Sequence, residues 1–271
     1  MATIILTGSC GDNATFNLYD NGLLEILGTG EMTTYNPYYT PPPWYEYRTQ
    51  ISQVIIADGI TEAGSSAFDG CTNLKKVILG NGVLTVDDAC FRECFSIEYI
   101  VIPASVKRIN SVAFASCSKL KRVIIKGTTI TIAERAFVNC YALAEVIFTG
   151  LTEVPQLDNT SAFRSTEISK TSGRISVPSA LIESFTGATN WSYYADICRD
   201  VTNLAELFKE IADSIRAKKS TTATICPYDY ATEIESIETG GKGGITEITS
   251  FADISFPCGS VVPTSFANIE F

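Results

Sequence analysis

The stretch Ala113-Phe114-Ala115-Ser116-Cys117-Ser118-Lys119-Leu120-Lys121-Arg122-Val123-Ile124-Ile125 decides the fold, because its pattern recurs along the chain. Cys71, Cys94, Cys117 and Cys140 lie 23 residues apart, and Phe68, Phe91, Phe114 and Phe137 keep the same period. Leu74, Ile97, Leu120 and Leu143 follow, then Val77, Ile100, Val123 and Val146, then Leu79, Ile102, Ile125 and Phe148. A small residue precedes each Phe: Ala67, Cys90, Ala113 and Ala136. Self-similarity of this length marks a repeat architecture in which no unit buries its own apolar face and stacking supplies the core.

Each unit reads as one rung. A three-residue strand comes first, at 54–56, 77–79, 100–102, 123–125 and 146–148. Asp58-Gly59, Asn81-Gly82 and Pro103-Ala104 supply the turns after it. A second apolar stop follows at Ile60/Ala63, Val83/Val86, Val106/Ile109 and Ile132. The Ala-Phe-x-x-Cys segment then closes the rung and is expected as a short helical turn. Neighbouring strands stack in parallel at ~4.8 Å, so inward residues form ladders.

These residues resemble the BspA-type leucine-rich repeat family, most closely at Ala113–Leu120 and at Val101-Ile102-Pro103-Ala104-Ser105-Val106-Lys107-Arg108-Ile109. Gly8-Ser9-Cys10-Gly11 and Gly22–Met32 resemble the β-hairpin that begins such domains, with Phe16 where Trp often stands, and Trp44 and Arg48 lead into the first strand. Ile175-Ser176-Val177-Pro178 and Ala188-Thr189-Asn190-Trp191 resemble the closing segment. The resemblance implies a solenoid with a capping region at 1–50, repeats at 51–150 and a C-terminal cap at 151–198. It also implies surface adhesion and protein or matrix binding rather than catalysis, in proteins that are usually secreted.

The periodicity changes after Cys198. Leu204, Leu207, Phe208, Ile211 and Ile215 fall on one face of a helix, opened by a capping-box-like Asn203 and Glu206. Pro227, Ile234 and Ile237 suit a second helix. The helical hairpin predicted for 201–238 is too short to stand alone, so these apolar residues are expected to mediate homo-oligomerisation. The glycine-rich stretch 239–244, with Gly240, Gly241, Gly243 and Gly244, makes a linker, and 245–271 reads as an apolar, β-rich tail. The run from Leu207 through Ile225-Cys226-Pro227-Tyr228-Asp229 to Ile237 is similar to an element of phage and prophage tail-associated structural proteins. That similarity implies a non-enzymatic virion component, tail- or surface-associated, made in the host cytoplasm and partnered by other virion proteins or by a host surface protein or glycan. The alternative is a cell-surface or secreted bacterial adhesin.

Composition narrows the chemistry. The 271 residues carry a net charge of −10 and no histidine. The acidic balance argues against nucleic acid as a partner. The missing histidine excludes Ser-His-Asp and Cys-His catalysis and His-ligated zinc. No apolar run reaches the ~18 residues needed to cross a bilayer, and the start, Met1 to Asn13, lacks a basic region and a long apolar run. Manufacture in the cytoplasm without a secretion address is therefore expected. The repeat cysteines read as small, close-packed core groups rather than metal ligands. Asp87, Asp88, Glu62 and Glu134 read as solvated turn carboxylates, and the glycines lack phosphate-loop spacing. No cofactor, metal or catalytic residue is assigned.

Two candidate surfaces remain. Period-2 geometry points Ile55, Ile78, Val101, Ile124 and Ile147 away from the core, bordered by Gln53, Lys76, Tyr99, Arg122 and Glu145. An apolar stripe with a polar rim, including Tyr99 and Arg122, is what a partner-binding face looks like, although strand propensity or the chain's own C-terminal part accounts for it equally. Residues 35–47 hold Tyr35, Tyr38, Tyr39, Trp44, Tyr45 and Tyr47 among prolines. Trp44 reads as an anchor of the cap. Tyr38 and Tyr39 fit either a platform for sugar rings or a cap loop.

Overall fold

The computed structural model describes residues 2–170 and 172–200. The helical hairpin, linker and tail expected at 201–271, including Leu204, Leu207, Phe208, Ile211, Ile215, Ile234 and Ile237, lie outside the described residues.

The chain opens with an antiparallel meander, β1 (Ile4–Ser9), β2 (Ala14–Tyr19) and β3 (Leu23–Gly28), followed by the short β4 (Gly30–Glu31). Two series of strands then alternate. The long series is β5 (Gln53–Ile56), β7 (Lys76–Ile78), β9 (Tyr99–Ile102), β11 (Arg122–Ile125) and β13 (Glu145–Phe148). The short series is β6 (Ile60–Ala63), β8 (Thr85–Val86), β10 (Arg108–Ile109), β12 (Thr131–Ile132) and β14 (Gln156–Leu157). The described residues close with β15 (Arg174–Val177), the short helix α1 (Ile182–Gly187), a 3-10 helix at Trp191–Ile197 and β16 (Cys198–Asp200).

The long strands pair in parallel with a register shift of one repeat: Val54 with Val77, Ile100 with Val123, and Val123 with Val146. They fall into two sheets, β1-β2-β3-β5-β7 and β16-β15-β13-β11-β9. The short strands form a sheet of their own, β14-β12-β10-β8-β6-β4. The second apolar stop of each rung is therefore a strand, and its repeated residue, Val86, Ile109 or Ile132, is fully buried. The β-hairpin cap continues the long series, since β3 pairs in parallel with β5.

The Ala-Phe-x-x-Cys corner differs from the expected helical turn. Two residues in each rung take left-handed φ, one before the Ala-Phe pair (Ser66, Ala89, Val112, Arg135) and one before the Cys (Gly70, Glu93, Ser116, Asn139). A helix does not survive such an interruption every few residues. The corner is instead two successive tight turns whose amides bond to the next rung. Phe68 N–H donates to Cys90 O at 2.9 Å, Phe91 to Ala113 at 2.8 Å and Phe114 to Ala136 at 2.8 Å. The corners thus make a third hydrogen-bonded ladder. At the last rung the corner does wind into a 3-10 helix, Thr160–Phe163, with Asn159 Oδ1 accepting from Ser161 N–H.

The turn glycines are set by crowding between rungs. A Cβ at Gly82 would stand 1.8 Å from Asp58 O, so no larger residue fits without moving the backbone.

Inside, the repeated phenylalanines form one stack. Centroids are 5.0 Å apart for Phe68–Phe91, 5.3 Å for Phe91–Phe114, 5.3 Å for Phe114–Phe137 and 5.5 Å for Phe137–Phe163, with nearly parallel planes. A tryptophan closes each end. Trp44 stacks on Phe68 and donates its indole N–H to Ala67 O at 2.8 Å. Trp191 packs by Phe163 and donates to Pro155 O at 2.7 Å. Phe16 meets Trp44 edge-on at 4.9 Å, so the cap hairpin packs onto the same stack.

Candidate functional site

The repeat thiols come first, because they are the most numerous reactive groups. Cys71, Cys94, Cys117 and Cys140 are buried and free. Each of the last three points its Sγ at the Phe carbonyl of the preceding rung: Cys94 to Phe68 O at 3.2 Å, Cys117 to Phe91 O at 3.2 Å and Cys140 to Phe114 O at 3.0 Å. A thiol at this position fills a small space and gives an inner carbonyl a donor. Burial pushes the Cys71, Cys94 and Cys117 thiols well above their ordinary value, so they are poor nucleophiles and poor ligands. Cys10, in the cap, is pushed up to about 12 by the same cause. Among the described residues no three His, Cys, Asp or Glu side chains converge as a metal would require.

The carboxylates need one correction. Glu62 lies in β6 rather than in a turn. Its carboxyl is held above the usual range by burial, by the nearby charges of Asp87 and Glu31, and by a hydrogen bond with Asp87. Asp88 is raised by burial and by Asp87. Asp87 also accepts from Asn110 Nδ2 at 2.6 Å. The short-strand ladder therefore carries a crowded acidic run at its N-terminal end. An open cleft at the C-terminal cap is lined by Val154, Pro155, Gln156, Leu157, Asp158, Ala188, Thr189 and Asn190. Its carboxylate is engaged by Arg108 at 3.0 Å and by Gln156 at 2.8 Å, which leaves no reactive pair in it.

The outer face of the long strands is the extended surface that the repeat builds. Ile55 sits beside Ile78, and Val101, Ile124 and Ile147 sit side by side, but β7 and β9 belong to different sheets, so the column expected across five rungs is two paired segments with a break between Ile78 and Val101. The inward neighbours Val54, Ile100, Val123 and Val146 are fully buried in the core, whereas Val77, in the same column, is half-buried and packs against its edge. The column itself is graded. Ile78 is 40% exposed, and Ile55 and Val101 are half-buried. Ile124 and Ile147 are buried, at 6% and 1%, yet they stand outside the hydrophobic core cluster. They point where the alternation places them and are not accessible. Bordering the column, Tyr99 is 45% exposed. Arg122 is half-buried and ion-paired through Nε with Glu145 on the next rung. The accessible portion therefore runs over β5, β7 and β9, with Ile78 and Tyr99 most prominent.

The aromatic segment divides cleanly. Trp44 is fully buried and Tyr35 nearly so, whereas Tyr38 and Tyr39 are 82% and 85% exposed. Tyr45 holds the Arg48 guanidinium 4.0 Å from its ring centroid.

Sequence reasoning missed Phe163, the last ring of the stack. It follows Phe137 by 26 residues and so falls out of the 23-residue column. A search allowing a three-residue insertion between Cys140 and the next Ala-Phe pair, Ala162-Phe163, finds it.

Residues 44–169 match the family described as the BspA type leucine rich repeat region, in six copies. No curated protein matches the chain. Among solved structures, it is similar to a leucine-rich repeat protein from Eubacterium ventriosum, with 23% identity over 53% of this chain and 44% of that one and a TM-score of 0.42. The pneumococcal vaccine antigen PcpA shows 14% identity over 63% of this chain and 43% of its own, with a TM-score of 0.43. A leucine rich cell surface protein from Faecalibacterium prausnitzii shows 20% identity over 57% of this chain and 56% of its own, with a TM-score of 0.25. The chain thus spans less than half the length of the first two.

Proposed function

Because residues 44–169 are a BspA type leucine-rich repeat region, we propose that the protein is a non-enzymatic binding protein, displayed at a bacterial surface or secreted, whose outer strand face engages a protein partner. The observation that carries this reading is the outward apolar set of β5, β7 and β9, with Ile55 paired to Ile78 in one sheet and Val101 beside Tyr99 in the next, outside the core cluster and most open at Ile78 and Tyr99. Apolar centres with aromatic borders are what partners bury. The family match favours the adhesin over the virion component. The virion reading rests on Leu207–Ile237, which lie outside the described residues. No described helix is long and apolar enough to cross a membrane.

Antibody labelling of intact producing cells and assay of their culture medium test the location. Labelled envelope or secreted protein is expected; recovery of the chain only in purified phage particles would overturn the reading. Binding of the full chain to immobilised matrix proteins such as fibronectin, laminin and collagen tests the face. Ile78→Glu should fold as the parent does and weaken retention by about tenfold or more. Undiminished retention would remove the face from the function.

A further inference from the structure

We propose that the tip at residues 36–40 is a carbohydrate-binding site, in which Tyr38 and Tyr39 stack on the ring faces of a neutral sugar. The proposal stands apart from the outer strand face, since it uses the cap alone.

The tip is tied by its own hydrogen bonds, and its two tyrosine rings stand in solvent. Asn36 and Thr40 bridge, with Asn36 N–H donating to Thr40 O at 3.0 Å and Thr40 N–H to Asn36 O at 2.9 Å. The Asn36 side chain accepts from Tyr38 N–H at 2.9 Å and Tyr39 N–H at 3.3 Å. Below it, Tyr35 N–H donates to Ser65 O at 2.9 Å, and Trp44 is fixed to Ala67 O. Pro37 and Pro41 to Pro43 restrict the flanks. The packing work of the segment is done by Tyr35, Pro42 and Trp44, all buried. Tyr38 and Tyr39 are the most exposed large apolar side chains among the described residues; Tyr193 follows at 65%. Two rings whose backbone is already ordered lose little further entropy when they bind.

The chemistry of the patch selects the ligand. In a chain of net charge −10, no charged side chain falls between Glu31 and Glu46. The exposed residues around the rings are Thr33, Thr34, Asn36, Thr40, Pro41 and Pro43. The Arg92 guanidinium lies within electrostatic reach of Tyr38, but Asp69 holds it in an ion pair. Rings, hydroxyls, an amide and a paired cation complement a molecule that has apolar C–H faces and hydroxyl edges, which describes a sugar. Size points the same way. Two tyrosines offer ~300–500 Å² of contact. A stable protein interface needs ~800 Å² per partner around a desolvated centre. A projecting tip of two rings matches one or two sugar residues instead.

The test uses the full chain on an array of neutral oligosaccharides built from glucose, galactose, mannose and their N-acetylated forms. Retention on a subset is expected. Tyr38→Ala and Tyr39→Ala should each reduce it by about tenfold or more, with the parent's melting temperature kept because both rings stand in solvent. Tyr38→Phe and Tyr39→Phe should lose less, since the stacking face remains. Tyr193→Ala, at the opposite cap, should bind as the parent does. Absence of retention on every sugar, equal retention by the Tyr38→Ala/Tyr39→Ala double variant, or capture of a proline-rich peptide in place of sugar would each overturn the assignment.

Discussion

At the residue scale, stability lies in columns whose members each touch the rung above and the rung below. Phe114 is fully buried between Phe91 and Phe137, so truncation opens a space that a close-packed stack cannot refill. Phe114→Ala should cost ~3–5 kcal/mol, read as a lower urea midpoint. The thiols beside that column are inward and inert. Mass-spectrometric mapping after brief alkylation of the native protein should find Cys71, Cys94, Cys117 and Cys140 unmodified and the denatured protein fully modified; rapid native labelling of these four would contradict their placement. Glu62 gives a pH effect of defined sign. Its folded-state pKa lies above the ordinary 4.5, so above that pH the unfolded chain releases its proton more readily and stability falls as pH rises through the raised value. Glu62→Gln should therefore raise the melting temperature at pH 7, with the gain disappearing as pH drops below ~4.5, followed by thermal denaturation across that range.

At the scale of the element, the corner and the strand follow different rules. The corner places Val112, a β-branched residue, at φ 52°, where branching crowds the following carbonyl. Asn tolerates that conformation, so Val112→Asn should stabilise by ~0.5–1 kcal/mol, measured as a shift in denaturant midpoint. The strand alternates, and its outward residues are graded in exposure. Ile78→Glu at 40% exposure should change stability within ~0.5 kcal/mol. Ile124→Glu at 6% exposure buries a charge on the outer face and should destabilise strongly. Equal effects at the two positions would mean that the gradient of burial along the face is wrong.

At the scale of the whole molecule, a stacked array is as stable as its ends allow, because each terminal rung lacks one neighbour. Here a tryptophan stands at each end, bonded through its indole N–H to a carbonyl of the array. Trp44→Ala and Trp191→Ala should each cost ~3–5 kcal/mol. Hydrogen exchange should show the loss of protection starting from the mutated end, at β5 or at β15, while β9 and β11 stay protected longest. Uniform loss would mean that the described residues unfold as a single cooperative unit.

Spacing alone made the period, the parallel stacking, the inward columns apart from half-buried Val77, and the burial of the thiols legible, but not the break between β7 and β9. A 23-residue repeat permits stacking only when like residues lie over like, so spacing translates directly into contacts. The sequence also separated Trp44 as an anchor from its neighbouring tyrosines. Three further features emerge only in the folded chain. The corner is a pair of left-handed turns, because its amides find acceptors on the next rung that no local pattern reveals. Phe163 joins the stack across a three-residue insertion, because contact between rungs outweighs exact spacing. Ile124 and Ile147 are buried on a face whose alternation specifies direction only, since exposure depends on everything packed above a side chain, and a period in sequence carries no information about that.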